Sequence, residues 1–126
     1  YRQAVEKGNI TVNSSAVAYI VNSDYRLKEN VVALTEAKAR LNQLKVNRFN
    51  FIVVPSITVD GFLAHEAATV VPEAVTGTKD EVDAAGVPVY QGIDQAKLVP
   101  LLTAALQEAF AEIDALTTRV AALEAG

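Results

Sequence analysis

The spacing of apolar and polar positions changes character several times along the chain. Near the start, "NITV" (Asn9–Val12) and "AVAYIV" (Ala16–Val21) are β-branched and aromatic runs separated by the turn-like "NSS", which predicts two short strands. Two short strands cannot bury their own apolar surface, so residues 1–22 are expected to belong with partners. From Asp24 the rhythm becomes helical. Leu27, Val31, Leu34, Leu41 and Leu44 recur at steps of three, four and seven, predicting one apolar face over about five turns, capped by Ser23 or Asp24.

"RFNFIVVPSITVDGFLAHEAATVVP" then reads as strand, turn, and a second strand or short helix, with breaks at Pro55 and at Asp60-Gly61. "TKDEVDAAGVPVYQGID" predicts a polar hairpin around Ala85-Gly86, with Pro88 at an edge or strand start. The last thirty or so residues carry the clearest period. Val99, Leu106, Ile113 and Val120 fall seven apart, and Leu102, Ala109, Leu116 and Leu123 follow each by three, so every a and d position is apolar. Leu98 and Phe110 widen the stripe near its start, whereas beyond Asp114 only the narrow seam remains, flanked by Arg119 and Glu124. The spacing predicts self-association through a coiled coil. β-branched a residues with Leu at d nominally suit two strands, so the oligomer number stays open at this point.

Composition narrows the classes. A chain of 126 residues, half of them hydrophobic, suits one small domain. Its net charge of −4, without a basic cluster, argues against a nucleic-acid surface. No cysteine is present, which excludes disulfides and thiolate metal sites. Asp80, Glu81 and Asp83 lack the alternating ligands and distal Glu of a calcium loop, so neither a metal nor a cofactor is expected. The longest apolar runs are far too short to span a bilayer, and no signal peptide opens the chain. Tyr1 rather than Met stands first, as in a piece of a longer protein.

The chemistry worth weighing lies in "VNSDYRLKEN" (Val21–Asn30), where Ser23 precedes Lys28 by five positions at a strand-to-helix junction. Residue types alone allow two readings: a helix cap beside a surface lysine, or a nucleophile with its base. There is no GxSxG elbow, phosphate loop or metal cluster to favour a hydrolase acting on outside substrates.

The blocks "SDYRLKEN", "RFNF", "GFLAHEA", "VVPEAVTG", "YQGID" and "KLVPLLTAALQEA", in that order, resemble the C-terminal intramolecular chaperone domain of phage tail fibres and tailspikes, the self-cleaving endosialidase type classed as peptidase S74. The resemblance runs from about Val17 to Glu124. It implies an α+β domain with an amphipathic helix, a small irregular sheet and a long C-terminal helix ending in a trimeric coiled coil. Residues 1–22 would be the last β-structured stub of the fibre, 23–126 the chaperone domain, and 98–126 its helix and coiled coil. The implied task is to trimerise, to register identical fibre chains as their β-structure folds, and then to cut itself away. The precursor would be made in the cytoplasm of the bacterial host, and the domain would be absent from the mature fibre. A structural trimer cap that never cleaves is the rival reading.

The resemblance places the nucleophile at Ser23 and the general base at Lys28; ring geometry puts the cut between Asn22 and Ser23, with Ser23–Asp24 as the alternative. Attack by Ser23 on its own carbonyl would close a four-membered ring, whereas attack on the carbonyl of Asn22 gives a five-membered intermediate and an ester that water can hydrolyse. Lys28 needs burial or a nearby cation to act as a base, and Arg26 is near enough to supply one. Asp24 would oppose this unless it points to Arg26 or a backbone donor. Backbone N–H groups at the start of the expected helix are candidates for the oxyanion. His65 and Glu66 are possible supporting residues, a structural or interfacial role for His65 being the plainer one. The seam residues are Val99, Leu102, Leu106, Ile113, Leu116, Val120 and Leu123. The chain carries both sides of the cut with the dyad intact, as a precursor or an uncleaved chain would.

Overall fold

A computed structural model describes residues 8–126, and residues 1–7 of the expected fibre stub lie outside the described residues. The chain divides into two units, Tyr1–Ala33 and Leu34–Gly126. Three two-stranded antiparallel sheets and a long C-terminal helix make the class α+β, as expected.

In the first unit, β1 (Gly8–Val12) pairs with β2 (Val17–Val21), with Ile10 opposite Tyr19 at the centre of the ladder. The "NSS" break is a turn closed by Asn13, whose Oδ1 accepts the N–H groups of Ser15 and Ala16, each at 2.9 Å. Asparagine favours this closure because its side chain mimics a backbone turn. A single 3-10 turn, Tyr25–Leu27, follows.

The five-turn amphipathic helix expected from Asp24 does not form. After the 3-10 turn, Lys28 is extended (φ −120°, ψ 145°), and Asn30 and Glu36 take left-handed conformations at φ 53° and 57°. Each of these breaks the i to i−4 ladder. Leu27, Val31 and Leu34 are consequently exposed rather than lined along one helix face. Only Ala37–Leu41, here α1, is helical.

In the second unit, β3 (Asn47–Phe51) and β4 (Val54–Gly61) form a hairpin. Pro55 was expected to interrupt the run but lies within β4. The register jumps from Asn50↔Thr58 to Phe51↔Val54, so Pro55 sits in the bulge, where a missing N–H is tolerated. Asp60-Gly61 ends the strand as expected, and α2 (Ala64–Ala67) follows. β5 (Val75–Thr76) pairs with β6 (Gly92–Ile93). Between them the polar hairpin turns at Gly86, with φ +78°, and the Asp83 N–H donates to Val87 O at 2.9 Å.

The core is small and lies where α1 crosses α3 (Val99–Ala125). Leu98, Leu101 and Ala105 pack against Ala37, Val70, Val71 and Ala74, with Leu41, Leu44, Phe62 and Ala104 at its rim. Leu98 thus joins the core, as its place beside the seam suggested, whereas Phe110 is exposed. α1 is too short to be stable alone. Its first N–H groups, which no residue beside them caps, are met by a carboxylate from the far end of the sequence. Glu108 accepts from Ala37 N at 2.9 Å and from Lys38 N at 2.8 Å, and Lys38 pairs with Glu112. At the other side of α1, the Arg40 guanidinium donates twice to Val70 O, at 2.9 and 2.7 Å.

Those two N–H groups, Lys38 first and then Ala37, hold the Glu108 carboxyl below its ordinary value of 4.5, outweighing desolvation; the Lys38 charge adds to them. A folded pKa below the unfolded one means that the stabilisation is full above about pH 4.5 and is lost as pH falls through the folded value. Acid unfolding should therefore be less steep in Glu108→Gln than in the unchanged protein, and Glu108→Ala should lower the midpoint of thermal unfolding at neutral pH. Asp60 and Glu66 titrate in the same direction in both proteins, so the difference between the two curves isolates Glu108. Identical curves would remove the cap from the account of α1. Leu101→Ala, at a side chain only 2 % exposed, should cost about 2–5 kcal/mol in the same measurement.

Candidate functional site

The Ser23 segment is built by very short-range rules. β2 ends at Val21, and the chain leaves the ladder at Asn22 and turns back within one 3-10 turn. Asp24 caps that turn: its Oδ1 accepts the Arg26 N–H at 2.9 Å. The same carboxylate takes the Arg26 guanidinium in a two-pronged pair, Nε to Oδ1 at 2.9 Å and Nη2 to Oδ2 at 2.8 Å. With Arg26 held to one side, the extended Lys28 lays its stem back along the turn. Its Nζ donates to Ser23 Oγ at 2.7 Å. A distance this short serves a proton moving in either direction once the ammonium has lost one.

The electrostatics follow from these contacts. The Arg26 guanidinium is the main cause, and its backbone N–H the next, of an Asp24 carboxyl held below the usual carboxylate range; Lys28 contributes less. Asp24 in turn raises Arg26. The expectation that Asp24 turns to Arg26 or to a backbone donor is met on both counts. The Arg26 cation near Lys28 is shared with Asp24, which occupies its fork. Ser23, Asp24, Arg26 and Lys28 are all exposed in the single chain.

The expected oxyanion donors change with the missing helix. The N–H groups of Arg26, Leu27 and Lys28 are engaged by Asp24 Oδ1, Asp24 O and Tyr25 O. Among the described residues, the N–H groups of Asp24 and Tyr25 remain without a hydrogen bond.

His65 and Glu66 lie on α2, in the second unit. His65 is exposed and lines two shallow clefts, one of about 490 Å³ with Phe49, Asp60 and Gln91, and one of about 290 Å³ with Lys79, Asp80 and Tyr90. Glu66 is committed to structure. It pairs with Lys45 at 2.9 Å and accepts from Asn47 Nδ2 at 3.4 Å, and the Lys45 contact is the main reason its carboxyl lies below the ordinary range.

The seam residues of α3 share one bare stripe. Val99, Leu102, Leu106, Ile113, Leu116, Val120 and Leu123 are each about half exposed or more. The buried positions of the same helix, Leu101 and Ala105, belong to a different flank. The seam is therefore not packing against this chain's own core. Among the described residues, no helix is long and apolar enough to cross a membrane.

Glu108 is the structural residue that sequence reasoning missed. Its partners are some seventy positions away, at Ala37 and Lys38, and no local signal marks it.

No curated protein matches the chain. The stretch with a family match is shorter than the run of similar blocks and leaves "YQGID" and the C-terminal helix outside it. Residues 23–76, beginning on the serine to which Lys28 donates, match the family Peptidase_S74, described as the chaperone of endosialidase.

Proposed function

We propose that residues 23–126 are an intramolecular chaperone that trimerises, registers identical fibre chains during folding and then releases itself by cutting between Asn22 and Ser23. The observation that carries the chemistry is the 2.7 Å contact between Lys28 Nζ and Ser23 Oγ at the residue where the family match begins. A chaperone role is what the family's description gives. The cut, the trimer and the division at residue 22 are the finer reading, supported by the dyad and by the bare seam of α3.

In the proposed step, neutral Lys28 takes the Ser23 hydroxyl proton as Oγ attacks the carbonyl carbon of Asn22. The tetrahedral intermediate collapses with cleavage of the Asn22–Ser23 C–N bond, and Lys28 returns the proton to the Ser23 nitrogen. Water then hydrolyses the ester, leaving a carboxylate on Asn22 and a free amino group on Ser23. The unengaged N–H groups of Asp24 and Tyr25 are the nearest candidates for the oxyanion. A lysine base is favoured by burial, and both members of the dyad are exposed in the single chain. Assembly is proposed to supply that burial, which would make the cut follow trimer formation. Glu66, already paired with Lys45, has no part in the step, and His65 is given none.

A chain extended upstream into fibre sequence should split in two, the smaller product starting at Ser23 by mass and terminal sequencing. Ser23→Ala should leave it whole and still assembled, and Lys28→Ala should slow the cut by about 10²–10⁴-fold. Normal cleavage in Lys28→Ala would mean that another group is the base. An uncut unchanged chain would favour the non-cleaving cap.

The seam makes a separate prediction. Burying each apolar seam side chain between copies should contribute about 1.5–3 kcal/mol. Leu116→Asp would instead gather one carboxylate from every copy around a common axis, where desolvation and like charge both oppose association. Sedimentation should find this variant monomeric at micromolar concentration, still unfolding cooperatively but at a lower temperature than the assembled chain, because association adds to stability. A fully trimeric Leu116→Asp protein would show that the four heptads do not join copies.

A further inference from the structure

Phe110 is the one phenylalanine on α3, it is 55 % exposed, and neither the core nor the seam uses it. In the heptads set by Val99 and Leu102, Phe110 occupies position e, while Ala105 and Glu112 occupy position g and Leu101 and Glu108 position c. Positions c and g are the flank on which α1 sits, through Leu101, Ala105, Glu108 and Glu112. The single chain is thus asymmetric about its seam: α1 covers the g side, and a bare aromatic stands on the e side.

The ends of the seam indicate how copies would face one another. Arg119 at g and Glu124 at e are five residues apart and opposite in charge, the spacing at which g of one helix meets e of its neighbour when helices run parallel and in register. An antiparallel pairing would instead set g against g and e against e, losing that complementarity. The same g-to-e relation places Phe110 of one copy opposite Ala105 of the next. Ala105 is itself covered on its α1 side, so a ring approaching that flank would meet the edge of α1 rather than the alanine. On the α1 side of the helix, an apolar groove of about 370 Å³ runs from Leu41 at the end of α1 and Leu44 beyond it through Leu98 to the seam residue Leu102. The groove is therefore continuous with the stripe that meets the second copy.

We infer that Phe110 is an inter-chain anchor, whose ring packs against the edge of α1 that covers Ala105 in the adjacent parallel copy of this chain. This rests on the proposed self-association and adds the contact that joins the coiled coil to the globular part. Each copy then clamps the α1–α3 junction of its neighbour, so that assembly reinforces the short helix that Glu108 caps.

The test places a photoreactive benzoylphenylalanine at position 110 and maps the cross-links, alongside sedimentation of Phe110→Ala and of the outward-facing control Asp114→Ala. Cross-links from position 110 should join different chains and land in residues 37–44 or 101–105. Phe110→Ala should raise the concentration of half-dissociation by about tenfold or more, as expected for losing one buried aromatic per contact, while Asp114→Ala leaves it unchanged. If the unchanged chain assembles but cross-links miss those residues, or Phe110→Ala behaves like Asp114→Ala, the anchor is wrong and the seam stands without it. If the unchanged chain is monomeric at every concentration, the self-association itself is wrong and the anchor falls with it. Because Phe110 is exposed in the single chain, its substitution should leave monomer helicity intact, which circular dichroism checks directly.

Discussion

The docking of α1 on one flank of α3 is the constraint from which the other features follow. Neighbouring positions on a helix point about 100° apart, so Leu101 and Ala105 can be buried while Leu102 and Leu106 are bare. α1 is five residues long and covers only the flank it touches. It stays in place because Glu108 meets its first N–H groups and Arg40 grips Val70 O at its side. α1 ends at Leu41, and the heptad seam of α3 stays uncovered.

The contact between Lys28 and Ser23 has a different origin. Ser23 and Lys28 are brought together by six consecutive residues, through one 3-10 turn and one carboxylate that both caps the turn and holds Arg26. No core residue takes part. The geometry of this pair is locally encoded, but both side chains are exposed in the single chain. Placement and environment are thus separable. The first is supplied by the chain itself, and the second has to come from whatever covers the segment. On the proposed reading, removing either polar group should stop the cut without touching the apolar stripes, whereas a change in the stripes should alter assembly and the cut together.

Much of this was legible in the residues where the rules are local. The β1–β2 hairpin followed from β-branched runs around an Asx-forming Asn13, the polar hairpin from Ala85-Gly86, and α3 from an unbroken seven-residue period. The Asp24–Arg26 contact and the Ser23–Lys28 approach came from short spacings. What failed was periodicity without continuity. Leu27, Val31, Leu34, Leu41 and Leu44 have helical spacing, yet left-handed Asn30 and Glu36 interrupt them, and a left-handed glutamate carries no sequence signature. The Glu108 cap was equally invisible, since it joins positions 71 residues apart. Pro55 misled for the converse reason: a two-stranded hairpin has only edges, and an edge with a bulge accepts proline.

The distribution of side-chain size carries the argument one step further. Among the described residues, eight hydrophobic ones are buried, and four of these are alanines: Ala37, Ala67, Ala74 and Ala105. Alanine contributes little apolar area, and domains of this size are already short of core. The large side chains lie elsewhere: Ile10, Tyr19 and Val21 on the hairpin, Ile52 and Val53 at the β3–β4 turn, and Leu102 to Leu123 along α3 are all exposed. Small residues inside let α1 and α3 approach closely, while large residues outside keep most of the available hydrophobic free energy for contacts this fold does not make alone. A chain so arranged gains stability in proportion to what covers those faces, by ordinary mass action. Folding and association are then linked quantities, and a substitution on the bare stripe should be read first as a change in association and only second as a change in the fold.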